Sequence, residues 1–177
     1  MLSAGQSISW TDIIAFLNER SAGIAEQIHG ASPAQLAAIM ARAPVSLPEN
    51  YLRFLSHFGA AAGGFCVFPK HHYLAPDLLL FPEEAMTWDR QQFFLIGFQS
   101  PAQACEDPHE LFLDLPRGSG HDAPIIGFQQ GVASTEMNLD HGLADWVVAA
   151  AGWQYAMKGK PARARLVAWP KAEATDE

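Results

Sequence analysis

The side chains in this sequence that could do chemistry are scattered. Seven histidines raise the question of a metal centre. His71 and His72 are adjacent, so on a strand they would point to opposite faces and could not easily share one ion. No HxxxH or HExxH occurs, and His109, His121 and His141 fall in separate loops or at a helix start. Folding could still gather His71, His72 and His121 with Asp114, the set a small metal-dependent hydrolase would use. Loop histidines beside Pro, Gly and Asp are more often surface residues, so the expectation is no metal ligand. Among nucleophiles, Cys66 lies in the apolar run "FCVF", read as a strand burying an inert thiol. Cys105 adjoins Glu106 and Asp107, which raise a thiol pKa and weaken the nucleophile. There is no GxSxG elbow, and "GAAAGG" lacks the lysine of a phosphate-binding loop. The carboxylate pairs Glu83–Glu84 and Glu106–Asp107 read as solvated loop acids. The expectation is therefore no catalytic residue, no cofactor and a non-enzymatic role.

The elements that must position these residues change period once. "SISWTDIIAFLNER" predicts a helix capped by Ser9, with Trp10, Ile13, Ile14 and Leu17 along one face. A weaker helical piece lies between Gly23 and Gly30. "SPAQLAAIMARAP" carries Ser32 as N-cap, Pro33 at the first helical position and Gln35 in the capping-box place. "LPENYLRFLSHFG" puts Pro48 at a helix start and Tyr51, Phe54, Leu55 and Phe58 on one stripe, a core face, with Gly59 closing the helix in the left-handed conformation. After Gly64, the runs "FCVF", "LLLF", "QFFLIGFQ", "ELFLDL" and "PIIGFQQ" predict short strands. Spacers such as "PRGSGHDA" leave no room for crossover helices, so pairing should be antiparallel. "PEEAMTW" suggests one helical turn, "LADWVVAAAGWQYAM" a closing helix and "RARLVAWP" an edge strand guarded by Arg163 and Arg165. Helices, a meander of strands and a closing helix packed on the sheet predict an α+β fold.

At 177 residues the chain suits one domain, and 49% apolar with 17% charged residues suits a folded one. Formal net charge is −8. Residues 1–157 carry 6 Lys+Arg against 16 Asp+Glu, while residues 158–171 hold five basic residues and no acid. An acidic body argues against direct nucleic-acid binding, which needs clustered positive charge, and suits a basic partner. Two cysteines outside a CxxC indicate no disulfide framework. Asp12, Glu19 and Arg20 interrupt any secretory leader, and no run approaches the ~20 apolar residues that span a bilayer. The expected location is cytoplasmic, with no membrane partner.

Leu47, Pro48, Tyr51, Phe54 and Leu55, in an "LPxxYxxFL" pattern, together resemble the SMI1/KNR4 (SUKH) superfamily. Downstream, Ile96–Gly97 and Leu111-Phe112-Leu113-Asp114 look like that family's paired strands, and Trp146 like the aromatic of its closing helix. The resemblance spans residues 45–150 and makes residues 1–44 a helical N-terminal extension and 151–177 a C-terminal extension and tail, all within one domain. It implies a protein-binding module of α+β fold with no catalytic residues to transfer. Many bacterial members look like immunity proteins that neutralise a toxin domain, and eukaryotic relatives look like scaffolds. The expected function is an immunity-type protein whose acidic body meets a basic toxin domain such as a nuclease. The alternatives are an intracellular scaffold and the metal-dependent hydrolase above. Candidate partner contacts are the loop residues Trp88, Asp89, Glu106, Asp107 and Asp122, taken as exposed.

Overall fold

A computed structural model describes residues 7–68, 71–83, 86–88, 92–99, 110–129, 132–155 and 167–168. The order is β1 (Ser7–Ile8), α1 (Trp10–Arg20), a 3-10 turn (Ile24–Gln27), β2 (Ile28–His29), α2 (Pro33–Arg42), α3 (Glu49–Phe58) and β3 (Ala61–Ala62). Then come α4 (Ala75–Leu80), β4 (Thr87–Trp88), β5 (Phe93–Phe98), β6 (Glu110–Asp114), β7 (Pro124–Gln129), β8 (Val132–Gly142), α5 (Leu143–Tyr155) and β9 (Val167–Ala168). Strands β4 to β8 form a five-stranded antiparallel meander in chain order, as the short spacers require. Two small antiparallel pairs, β1 with β9 and β2 with β3, lie apart from it. The fold is α+β. No helix among the described residues is long and apolar enough to cross a membrane.

The helix signals act as local chemistry dictates. Ser9 Oγ accepts the Asp12 N–H at the start of α1, and Ser32 and Gln35 exchange both bonds of a capping box on α2. On α3, Tyr51, Phe54, Leu55 and Phe58 are all buried. Phe54 packs against Trp10, Phe58 and Tyr73 at ring separations of 6.2, 5.8 and 6.1 Å, so the stripe is where α1, α3 and the chain before α4 meet. Tyr51 meets Phe94 of β5 edge-on at 6.3 Å, seating α3 on the sheet. Trp146 of α5 donates from Nε1 to the Val67 carbonyl and stacks on Phe68, closing the same core.

Four expectations are corrected. Gly59 is right-handed, at φ −72° and ψ −17°; it is needed because a Cβ there would collide with the Leu55 carbonyl, and the positive φ angles that follow α3 are at Gly63 and Gly64. "FCVF" is irregular chain rather than a strand, pinned by the Tyr73 hydroxyl, which donates to the Phe65 carbonyl. Cys66 is accordingly exposed, although partial burial still pushes its thiol upward. "LLLF" belongs to α4, because Pro76 sits in its first turn and the Arg42 guanidinium donates to the Leu78, Leu79 and Phe81 carbonyls at its end. Nor does "PEEAMTW" form only a helical turn, since Thr87–Trp88 pair with β5 as β4. The long strand β8, absent from the expectations, fills the segment between β7 and α5.

Candidate functional site

The most organised polar region joins the start of the "LPxxYxxFL" helix to the β6–β7 loop. An α-helix leaves its first N–H groups without internal partners, and Pro48 has no side chain to cap α3. The loop supplies what is missing: the Gly120 carbonyl accepts the Glu49 N–H and the His121 carbonyl accepts the Asn50 N–H, each at 2.9 Å. Two residues on, Asp122 performs the same service for α5. Its Oδ1 accepts the Ala123 and Leu143 N–H groups at 2.9 and 3.1 Å, and its Oδ2 accepts the Ala144 N–H and the Asn50 side-chain amide, each at 3.2 Å. Gly142 has no room for a Cβ because the Asp122 carboxylate occupies that space. Ser119 Oγ accepts the N–H groups of His121 and Asp122 and fixes the turn.

Burial pushes the Asp122 carboxyl upward, against the pull of its four hydrogen-bond donors. On the exposed side of the junction, His121 Nδ1 bonds the Glu49 carboxylate at 3.1 Å and Arg53 pairs with the same group at 2.6 Å. The His121 hydrogen bond, then the Arg53 charge, hold the Glu49 carboxyl below its ordinary range. The site is thus a carboxylate-centred junction between two helix starts with a charged triad at its rim. It contains no activated nucleophile.

The sequence-predicted contacts separate. Asp122 is half-buried and fully engaged, not an exposed loop acid. Trp88 lies in the edge strand β4, and Asp89, Glu106 and Asp107 lie outside the described residues. The basic segment 158–166 and Cys105 lie outside them too. The histidines disperse: His121 goes to Glu49, His72 lies 3.8 Å from Asp77, His71 meets Gln99, and Asp114 pairs with Arg117. Among the described residues, no three metal-binding side chains converge. Asn50 escaped notice altogether. The signal for the junction was that glycine precedes α5, so no local side chain caps that helix and a distant one must.

Tyr51, the tyrosine of the pattern, is buried, and burial pushes its phenol upward; its hydroxyl has no hydrogen-bond partner among the described residues. Tyr51→Phe should therefore raise unfolding stability by about 1 kcal/mol in urea titration, because an unsatisfied buried hydroxyl is removed. A loss instead would show that the hydroxyl holds a partner.

Among the described residues, surface charge is one-sided. Of the described arginines, Arg20 lies over the Phe16 ring, Arg42 caps α4, Arg53 pairs with Glu49 and Arg117 with Asp114. Asp12, Glu19, Glu26 and Glu83 are exposed. No protein-family model, curated protein or solved structure matches the chain.

Proposed function

We propose that the chain is a non-enzymatic, cytoplasmic binding protein of the SMI1/KNR4 kind, an immunity-type protein that neutralises a basic toxin domain by covering it. One observation carries this reading. Among the described residues every arginine is engaged by the protein's own rings, carbonyls or carboxylates, while Asp12, Glu26 and Glu83 are exposed, so this part of the surface is acidic. An acidic face speeds encounter with a basic protein and fixes its orientation. The polar junction supports the same reading, because its carboxylate and loop carbonyls stabilise helices rather than poise a reacting atom.

Glu106 and Asp107 remain the proposed contacts. The test is a pull-down of the tagged protein from its own organism's lysate at low and high salt. One stoichiometric, salt-sensitive partner with a toxin-like domain is expected. Glu106→Lys with Asp107→Lys should then slow association about ten-fold, measured by surface plasmon resonance, with little change in dissociation. Unchanged association removes those two residues from the interface. Several weak partners would mark a scaffold instead.

A further inference from the structure

His72, Phe98, Phe81 and Asp77 come from three parts of the chain and meet at one place. His72 and Phe98, the last residue of β5, exchange backbone hydrogen bonds at 2.7 and 3.1 Å, and their rings stack at 5.3 Å and 28°. Phe98 in turn packs against Phe81, just past α4, with ring centroids 4.7 Å apart. Asp77 closes the circuit. Its Oδ2 lies 3.8 Å from His72 Nδ1, and it stands about one helical turn before Phe81. All four side chains are partly exposed, those of His72 and Asp77 at 41% and 38%. Arg42 donates to the Phe81 carbonyl and to those of Leu78 and Leu79, so its guanidinium is committed to the backbone. Among the described residues, no cation lies over the Phe81 or Phe98 ring. Glu83, two residues beyond Phe81, is a further exposed acid.

The geometry points to an arginine-accepting site here: a guanidinium from a basic partner protein lies against the Phe81 and Phe98 rings, with Asp77 as its counter-ion. The aromatic face attracts a cation through its quadrupole, and the carboxylate beside it supplies the opposite charge. Arginine suits this better than lysine, because guanidinium is planar, stacks on rings and is more weakly hydrated than ammonium. A nucleotide base would stack too, but Asp77 and Glu83 repel the phosphate it brings. The reciprocal bonds of His72 with Phe98 and the hold of Arg42 on Phe81 place the rings beforehand, so binding orders little. The inference rests on the reading of the chain as a binder of basic proteins, and it names the side chain of the partner that is seated here.

The test titrates the full chain, at one ionic strength, into a fluorescent oligo-arginine peptide and into oligo-lysine and oligo-citrulline peptides of equal length. Lysine keeps the charge without the plane, and citrulline keeps the plane without the charge. Saturable binding of the arginine peptide is expected by anisotropy, about five-fold tighter than the lysine peptide and tighter still than the citrulline one. Phe81→Leu should abolish the preference for arginine over lysine, a ratio that general loss of stability does not mimic. Asp77→Asn keeps the side-chain shape and should weaken the arginine peptide about three-fold, so the test stands even if Phe81→Leu fails to fold. Equal affinity for the arginine and lysine peptides overturns the proposal, and so does arginine binding that neither variant alters. Citrulline binding as tight as arginine overturns it too, because a neutral planar ligand would then be the occupant. A basic toxin domain bound equally well by wild type and both variants would overturn this site and leave the immunity reading standing. Arginine selectivity that both variants reduce, with no stoichiometric basic partner in the pull-down, would support the site and overturn the immunity reading.

Discussion

Phe54→Ala is expected to lower the unfolding free energy by about 3–5 kcal/mol, the largest loss foreseen for a single side chain here. Phe54 is 1% exposed and touches rings from α1, from α3 itself and from the chain before α4. Truncation removes its transfer free energy and opens a cavity that three separate elements would have to collapse to fill. Helix propensity does not offset this, since alanine favours a helix by only a few tenths of a kcal/mol over phenylalanine. Urea titration followed by far-UV circular dichroism measures the loss, and the melting temperature should fall by roughly 10 °C. A loss below about 1 kcal/mol would mean that the stripe on α3 does not face the core.

Asp122→Ala is expected to destabilise by about 3 kcal/mol, summing the loss of a helix cap and of acceptors for partly buried donors. The N–H groups of Ala123, Leu143 and Ala144 and the amide of Asn50 all lose their partner at once. Asp122→Asn separates the acceptor from the charge, keeping one oxygen for α5, and should cost about 1 kcal/mol at neutral pH. The pH dependence then has a definite sign. Because burial raises the folded-state pKa of Asp122 above its ordinary value, the folded form binds its proton more tightly than the unfolded chain does. Its contribution to stability is therefore complete below the unfolded pKa and declines as pH rises through the raised one. The stability difference between wild type and Asp122→Asn should shrink over that interval, measured by urea titration from pH 3 upward; a difference that widens would show the four hydrogen bonds outweighing burial.

Local chemistry was legible where one residue's neighbours in sequence decide its state. Ser9, Ser32 and Gln35 cap the helices they precede or open, and the Tyr51–Phe58 stripe is buried as its period requires. The strands β5, β6 and β7 also declare themselves, through branched and aromatic runs between turn residues. What was illegible depends on partners far along the chain. "LLLF" has strand composition, but Arg42 supplies acceptor-satisfying donors 36 to 39 residues away and makes a short helix there. Asp122 looks like a solvated turn acid until Asn50 and the start of α5 are brought beside it. The SMI1/KNR4 resemblance rests on residues that mostly build the core, so it speaks to architecture more directly than to the partner.

The Asp122 junction also bears on how long the folded chain lasts. Apart from the bond to neighbouring Ala123, its bonds join residues 72 positions apart on one side and 21 or 22 on the other, so each of these forms only after its own loop has closed. Contacts of that kind follow the local helices and hairpins and tend to be absent at the folding barrier. Energy stored there acts on escape from the native basin rather than on the approach to it. In a chevron, Asp122→Ala would lift the unfolding limb and leave the refolding limb nearly in place. The β6–β7 loop is then the clasp that sets the lifetime of the native state.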